Sequence, residues 1–146
     1  MRVITGTARG RVLRTLEGED VRPTTDRVKE AVFSIIQFEI EGRRVLDLFA
    51  GSGQLGIEAL SRGAASATFV DMSKDSLSTV KYNLEHTKLG DNAKVVQTDA
   101  LSFLKLTKDK FDIVFLDPPY ASSLVVDSMK LLSDVVAAGG RYSQKG

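Results

Sequence analysis

No cysteine occurs among the 146 residues, which excludes disulfides, thiolate nucleophiles and any cysteine-based metal site. Histidine is almost as scarce. His86 is the single one, and with no partner for a metal site it reads as an exposed or half-packed residue late in a helix. No apolar run approaches the roughly 18 residues of a membrane span, and MRVITGTARG at the start has no signal-peptide core. A monomeric cytoplasmic protein with no membrane association is therefore the expectation. Net charge is only +1, so the molecule is not a polycation. The imbalance is local: Arg2, Arg9, Arg11 and Arg14 fall within residues 1–14, which hold no acid. A basic arm on a near-neutral body suits an anionic partner, although four arginines also make a plain solvated segment.

What is present is ordinary in bulk. Hydrophobic residues make up 42% and charged residues 27%, enough for one domain with a real core. Periodicity organises it. Residues 1–21 form the basic arm, with short strand-like or irregular structure. Residues 22–40 begin with a start signal at Pro23-Thr24-Thr25-Asp26 and continue as an amphipathic helix burying Val28, Ala31, Val32, Ile35 and Ile36. From 44 to 140 strands alternate with helices. The spacing predicts strands at Val45–Phe49, Ala67–Val70, Lys94–Gln97 and Phe111–Leu116. It predicts helices at Gln54–Arg62, Lys74–Thr87, about Leu101–Leu106 and Ser123–Val136. That alternation implies an α/β fold with a mostly parallel sheet flanked by helices. Phe33, Phe38 and Phe49 read as core. Lys105, Lys108 and Lys110 among Asp109 and Asp112 read as a solvated face.

In such sheets ligands collect beyond the carboxyl ends of the strands, and here each of the four ends carries an acid: Asp47, Asp71, Asp99 and Asp117. After the first strand comes AGSGQLG, a Gly51-x-Gly53-x-x-Gly56 turn between strand and helix, the context of a nucleotide-binding turn. Asp71 lies 20 residues beyond Gly51, where a carboxylate can hold two ribose hydroxyls. Asp47 would repel a pyrophosphate in the crevice. The pair therefore suits a ligand with a ribose, positive charge and no phosphates, which S-adenosylmethionine satisfies and NAD does not. The plainer alternative makes Asp47 and Asp71 turn and helix caps. Asp99 can accept from an adenine amino group, cap the helix that starts at Ala100, or do both.

The fourth predicted strand ends on Asp117-Pro118-Pro119-Tyr120. An exocyclic amine on a base is a poor nucleophile until it is oriented. The Asp117 carboxylate and the Pro118 carbonyl supply two acceptors, the prolines add no competing N–H, and Tyr120 offers a stacking face. The plainer alternative is a strand–turn–helix loop in which Pro119 and Tyr120 pack.

VLDLFAGSGQLGIEALSRGA, FVDMS and FDIVFLDPPY together resemble the class I S-adenosylmethionine-dependent methyltransferases that modify exocyclic amines. MRVITGTARGRVL and RPTTDRVKEAVFSII are similar to the opening blocks of the bacterial 16S ribosomal RNA guanine-N2 methyltransferase family, the RsmD type. The resemblance implies a single Rossmann-like methyltransferase domain over 1–146 and no metal. It implies cofactor contacts at Asp47, Ala50, Gly51, Gly53, Asp71, Met72, Asp99 and Ala100. It implies catalytic contacts with the target base at Asp117, Pro118 and Tyr120, and RNA contacts at Arg2, Arg9, Arg11, Arg14, Arg22 and Arg27. The implied partner is 16S RNA in the small ribosomal subunit, with assembled particles preferred.

A class I sheet has seven strands, whereas a helix reaching Val136 leaves only a short tail for the last three. The C-terminal strands are therefore expected to be missing, with a segment between about Gly140 and Arg141 absent from the sequence. Three rival readings stay open on the residues: an amino-methyltransferase for DNA adenine or cytosine or protein glutamine, a noncatalytic RNA-binding or assembly module, and a dehydrogenase, which Asp47 disfavours.

Overall fold

Strands buried on both faces read as near-continuous apolar runs, and the sheet is built from such runs. The computed structural model describes residues 2–16, 25–116, 123–132 and 135–144. Within them β1 (Arg44–Leu48), β2 (Ser66–Asp71), β3 (Ala93–Gln97), β4 (Phe111–Leu116) and β5 (Val136–Gln144) form one sheet in the order β3-β2-β1-β4-β5. All four pairings are parallel. The helices are α1 (Thr25–Ile36), α2 (Gln54–Ser61), α3 (Lys74–Thr87), α4 (Ala100–Leu106) and α5 (Ser123–Leu131).

Strand alternation sorts side chains to two faces. Val45, Ala67, Phe69, Ile113 and Phe115 join a core shared with the arm and with α1, α2 and α3. Leu46, Leu48, Val70, Val114 and Leu116 join a second core under α4 and the end of α5. Both faces of the sheet are thus covered, as a Rossmann-like class I methyltransferase requires.

Several expectations are corrected. The last predicted helix ends at Leu131 rather than Val136, and Val136–Gln144 is a fifth strand parallel to β4. The AAGG stretch inside it follows no apolar alternation. The register shifts between Phe111 and Ile113, which pair with Val136 and Arg141, so the strand is set by pairing rather than by sequence pattern. The arm has the short strand-like and irregular structure expected of it, and it is packed in the core. Arg2 bridges Val12 in antiparallel fashion, and Val3, Ala8 and Leu13 are buried in the first core.

The buried face of α1 also differs. Phe33 and Ile36 lie inside with Lys29, whereas Ile35 is 75% exposed and Ala31 is exposed. A lysine inside rotates the face away from the purely apolar prediction, for a reason given below. Phe38 is 91% exposed rather than core, because α1 has ended before it. Asp112 belongs to no simple solvated face. It accepts the Arg44 backbone N–H at 2.8 Å and the Arg44 guanidinium at 3.1 and 3.2 Å.

Candidate functional site

The chain leaves β1, winds outward through β2 to β3, then returns to the other side of β1 as β4. This reversal makes a topological switch point at the carboxyl ends of β1 and β4, the place where open α/β sheets bind ligands. Leu48 pairs with Leu116, so β4 ends level with the turn that follows β1. Asp117, Pro118, Pro119 and Tyr120 come next in the chain and lie outside the described residues, as does Arg22.

The β1–α2 turn is tightly wound. Phe49 has φ 65°, Gly51 has φ 59°, and Gly53, which precedes α2, has φ 83°. A non-glycine residue at positive φ is uncommon, and Phe49 is held there at the entrance to the turn. The Ala50 N–H donates to the Val70 carbonyl at 2.9 Å, and the Gly53 N–H to the Ala50 carbonyl at 2.8 Å. At Gly56 the reason for glycine is space: a Cβ would overlap the edge of the Phe69 ring. Close approach of helix to strand, expected of the third glycine, is what the structure has.

Asp47 sits within β1, not at its end, and is 1% exposed. Its Oδ2 accepts the Gly56 N–H at 3.0 Å, so the carboxylate lies against the positive end of α2. Asp71 ends β2 and braces two loops. Its Oδ2 accepts the Gly51 N–H at 3.0 Å and its Oδ1 the Ser73 N–H at 2.9 Å. The cap of α3 is Ser73 itself, whose Oγ accepts the Ser76 N–H at 3.2 Å. Asp99 caps α4, accepting the Ser102 N–H at 2.8 Å and the Ser102 hydroxyl at 2.7 Å. The Ser102 backbone N–H, followed by the hydroxyl, holds the Asp99 carboxyl below its ordinary pKa.

Beside these acids Ala50 and Ala100 are buried, while Met72 is 70% exposed. Arg2, Arg9, Arg11, Arg14 and Arg27 are exposed. Among the described residues no group of three or more His, Cys, Asp or Glu could hold a metal. No helix among them is long and apolar enough to cross a membrane.

Three features escaped sequence reasoning. Gln54, the first residue of α2, is 6% exposed, and its Oε1 has no hydrogen-bond partner. A buried orphan acceptor beside a ligand turn is the kind of group a ligand donor satisfies. Asn83, fully buried on α3, donates from Nδ2 to the Arg14 carbonyl at 2.9 Å and the Ser52 carbonyl at 3.0 Å. Its Oδ1 accepts the Arg14 N–H at 2.7 Å.

The third feature is Glu58, fully buried in the middle of α2. Its Oε1 lies 3.2 Å from the buried Lys29 ammonium and its Oε2 2.9 Å from Arg62 Nε. It also accepts the N–H groups of Ile4 at 2.8 Å and Thr5 at 3.1 Å. Lys29 in turn donates to the Arg2 carbonyl at 2.9 Å. This node explains the lysine inside α1. A helix-period count of apolar residues gives no hint of it; the one available signal is an acid in the otherwise apolar GIEAL run.

The profile of the family described as "Conserved hypothetical protein 95" matches residues 1–139. The chain belongs to this family. The chain is similar to the ribosomal RNA small subunit methyltransferase D of Haemophilus influenzae, 42% identical over 92% of this chain and 71% of that protein. It is likewise similar to the protein of the same name from Escherichia coli, 43% identical over 92% of this chain and 67% of that protein. A solved structure of a hypothetical protein from Thermus thermophilus superposes with a TM-score of 0.86 at 34% identity, covering 99% of this chain and 84% of the other. The RsmD-type resemblance read from the N-terminal block is borne out by these relatives, and their names do not favour the DNA, protein and noncatalytic alternatives.

Proposed function

We propose that the chain is an enzyme that transfers a methyl group from S-adenosylmethionine to the exocyclic N2 amine of a guanine in 16S ribosomal RNA of the small ribosomal subunit. One observation carries the reading: a left-handed glycine turn at the β1/β4 switch point, braced by Asp71, in a chain whose relatives are named for methylating small-subunit ribosomal RNA.

The residues fit the cofactor. Each oxygen of Asp71 takes one backbone N–H and keeps a further lone pair, so the carboxylate can accept two ribose hydroxyls while it braces the turn. Asp99 is likewise free to accept an adenine amino group from its capping position. Ala50, Gly51 and Gly53 present backbone to the ligand, while Met72 and Ala100 offer apolar surface for the adenine. Asp47 supplies a negative charge that favours a cationic ligand over a phosphate, and the Gln54 carbonyl lacks a donor that an α-ammonium would provide. When bound, S-adenosylmethionine supplies an electrophilic methyl group on a sulfonium.

The protein's share is orientation. Asp117 and the Pro118 carbonyl accept from the guanine amine and turn its lone pair toward the methyl carbon, and Tyr120 stacks on the base. Asp117 takes the proton released after transfer. A paired base is out of reach, so the target nucleotide is unpaired or flipped. Arg2, Arg9, Arg11, Arg14, Arg22 and Arg27 contact RNA phosphates. On this reading the chain works as one domain, a monomer in the cytoplasm, without a metal.

The test is transfer of a radiolabelled methyl group to small subunits lacking the modification, with free 16S RNA, DNA and bulk protein in parallel. Label in RNA that digests to N2-methylguanosine is the expected result. Label in DNA or protein overturns the substrate, and no label with S-adenosylhomocysteine unbound overturns the reaction.

A further inference from the structure

The described arginines assigned to RNA do not occupy equivalent places. The arm runs the length of α2. Its turn lies at the far end, where the Thr7 N–H donates to the Ser61 carbonyl at 2.8 Å and the Ala8 N–H to Ser61 Oγ at 3.0 Å. Ile4 and Thr5 are anchored one turn nearer the ligand end, on Glu58. Among the described arginines, Arg14 alone is fixed at the ligand end, because Asn83 grips its N–H and carbonyl and also holds the Ser52 carbonyl, the middle of the glycine turn. From Gln54 to Ser61 the helix rises about 10 Å, so Arg9, in the arm's turn, and Arg14 sit at opposite ends of it.

Arg14 is also held in shape. Its guanidinium lies over the Tyr82 ring, 3.7 Å from the centroid. The Tyr82 ring stacks on His86 with centroids 6.0 Å apart and planes 9° from parallel. Tyr82 and His86 occupy i and i+4 on α3, which places them on one face, and both remain exposed. A flexible arginine is thereby converted into a flat fork with a fixed plane. Its backbone is clamped by Asn83, its head rests on an aromatic column, and its edge N–H donors are left for phosphate or a base. A tyrosine placed under an arginine for stability alone needs no such position beside the ligand turn.

We propose that Arg14, Tyr82 and His86 form a preorganised RNA-docking stack at the rim of the cofactor turn, with Tyr82 and Asn83 as positioning residues for Arg14. The inference deepens the proposed function and rests on its RNA substrate. The stack engages the RNA strand next to the flipped nucleotide, where a misplaced contact costs alignment as well as affinity.

The experiment measures RNA affinity by filter binding, together with cofactor-product affinity by calorimetry with S-adenosylhomocysteine. The protein is the full chain, and the RNA is free 16S RNA over a range of salt. Arg14→Ala is expected to weaken RNA roughly tenfold and to lower the salt slope by about one. Tyr82→Leu should weaken RNA about threefold to fivefold, the size of an exposed cation–π contact, with S-adenosylhomocysteine affinity unchanged. Tyr82→Phe, which keeps the ring, should restore RNA affinity. In Arg14→Ala protein Tyr82→Leu should have no further effect, since the tyrosine acts through the arginine.

Unchanged RNA affinity and salt slope in both single variants overturns the stack. So does a Tyr82→Leu effect that persists without Arg14. The proposed function fails separately if wild-type protein binds RNA through the stack yet transfers no methyl group. If wild-type protein binds neither free 16S RNA nor small subunits lacking the modification, both readings fall.

Discussion

Replacing Glu58 by Gln keeps the shape of the side chain and removes its charge. In the wild type the carboxylate satisfies four donors: the Lys29 ammonium, Arg62 Nε, and the N–H groups of Ile4 and Thr5. With glutamine, one oxygen becomes an NH2 facing other donors, and Lys29, 1% exposed, loses its Glu58 counter-charge and keeps its bond to the Arg2 carbonyl. Breaking a buried pair from one side costs about 3–5 kcal/mol, a large share of the roughly 5–15 kcal/mol that holds a domain together. At about 2.1 cal/mol/K per residue, a chain of this length has an unfolding entropy near 0.3 kcal/mol/K, so the loss corresponds to about 10–16 °C in Tm.

Urea unfolding at pH 7 reads the stability, and amide hydrogen exchange locates it. Protection at Ile4 and Thr5 should fall more than protection at Val45 or Val114, because the arm undocks before the sheet opens. Lys29→Met should cost less, since Arg62 and the two N–H groups still satisfy the carboxylate. A loss below about 1 kcal/mol, or equal loss of protection in arm and sheet, would refute the idea that Glu58 anchors the arm. The same node means that deleting residues 1–14 removes part of the core, so the arginines are better tested one at a time.

Other perturbations follow from the same geometry. Gly56→Ala should destabilise by about 1–3 kcal/mol through overpacking against Phe69, measurable by thermal unfolding; a neutral result would mean the helix–strand contact yields freely. Asp71→Ala should weaken S-adenosylhomocysteine about tenfold or more in calorimetry, as expected for lost hydrogen bonds to a charged group, and an unchanged affinity would restrict Asp71 to bracing. Asp117→Ala should retain S-adenosylhomocysteine binding and abolish methyl transfer, and retained turnover would remove it from the mechanism. The hydrogen bond from Arg44 holds the Asp112 carboxyl below its ordinary pKa. The pair therefore stabilises above the unfolded carboxylate range and is lost as pH falls through the lowered folded value. Asp112→Asn should lower Tm at neutral pH, with the gap closing below about pH 4; a gap that persists in acid would assign the effect to packing.

The alternation of strands and helices was legible from local patterns in the chain. Period-2 and period-3.6 patterns are local, and so are glycines and caps: α3 at Lys74–Thr87 and β4 at Phe111–Leu116 fall where their patterns place them, and Gly56 meets Phe69 as a packing glycine should. The N-terminal block also carried the family, because a motif is read without a fold. What depends on partners distant in the chain is set by the folded packing. Ile35 reads as core and lies outside, while Lys29, which the apolar pattern leaves out of the buried face, lies inside, because burial of a charge depends on Glu58 29 residues away. Strand β5 carries no alternation of its own and is specified by the open edge of β4. The arm's four arginines look alike in sequence. It is Asn83, 69 residues from Arg14, that brings that one arginine to the glycine turn.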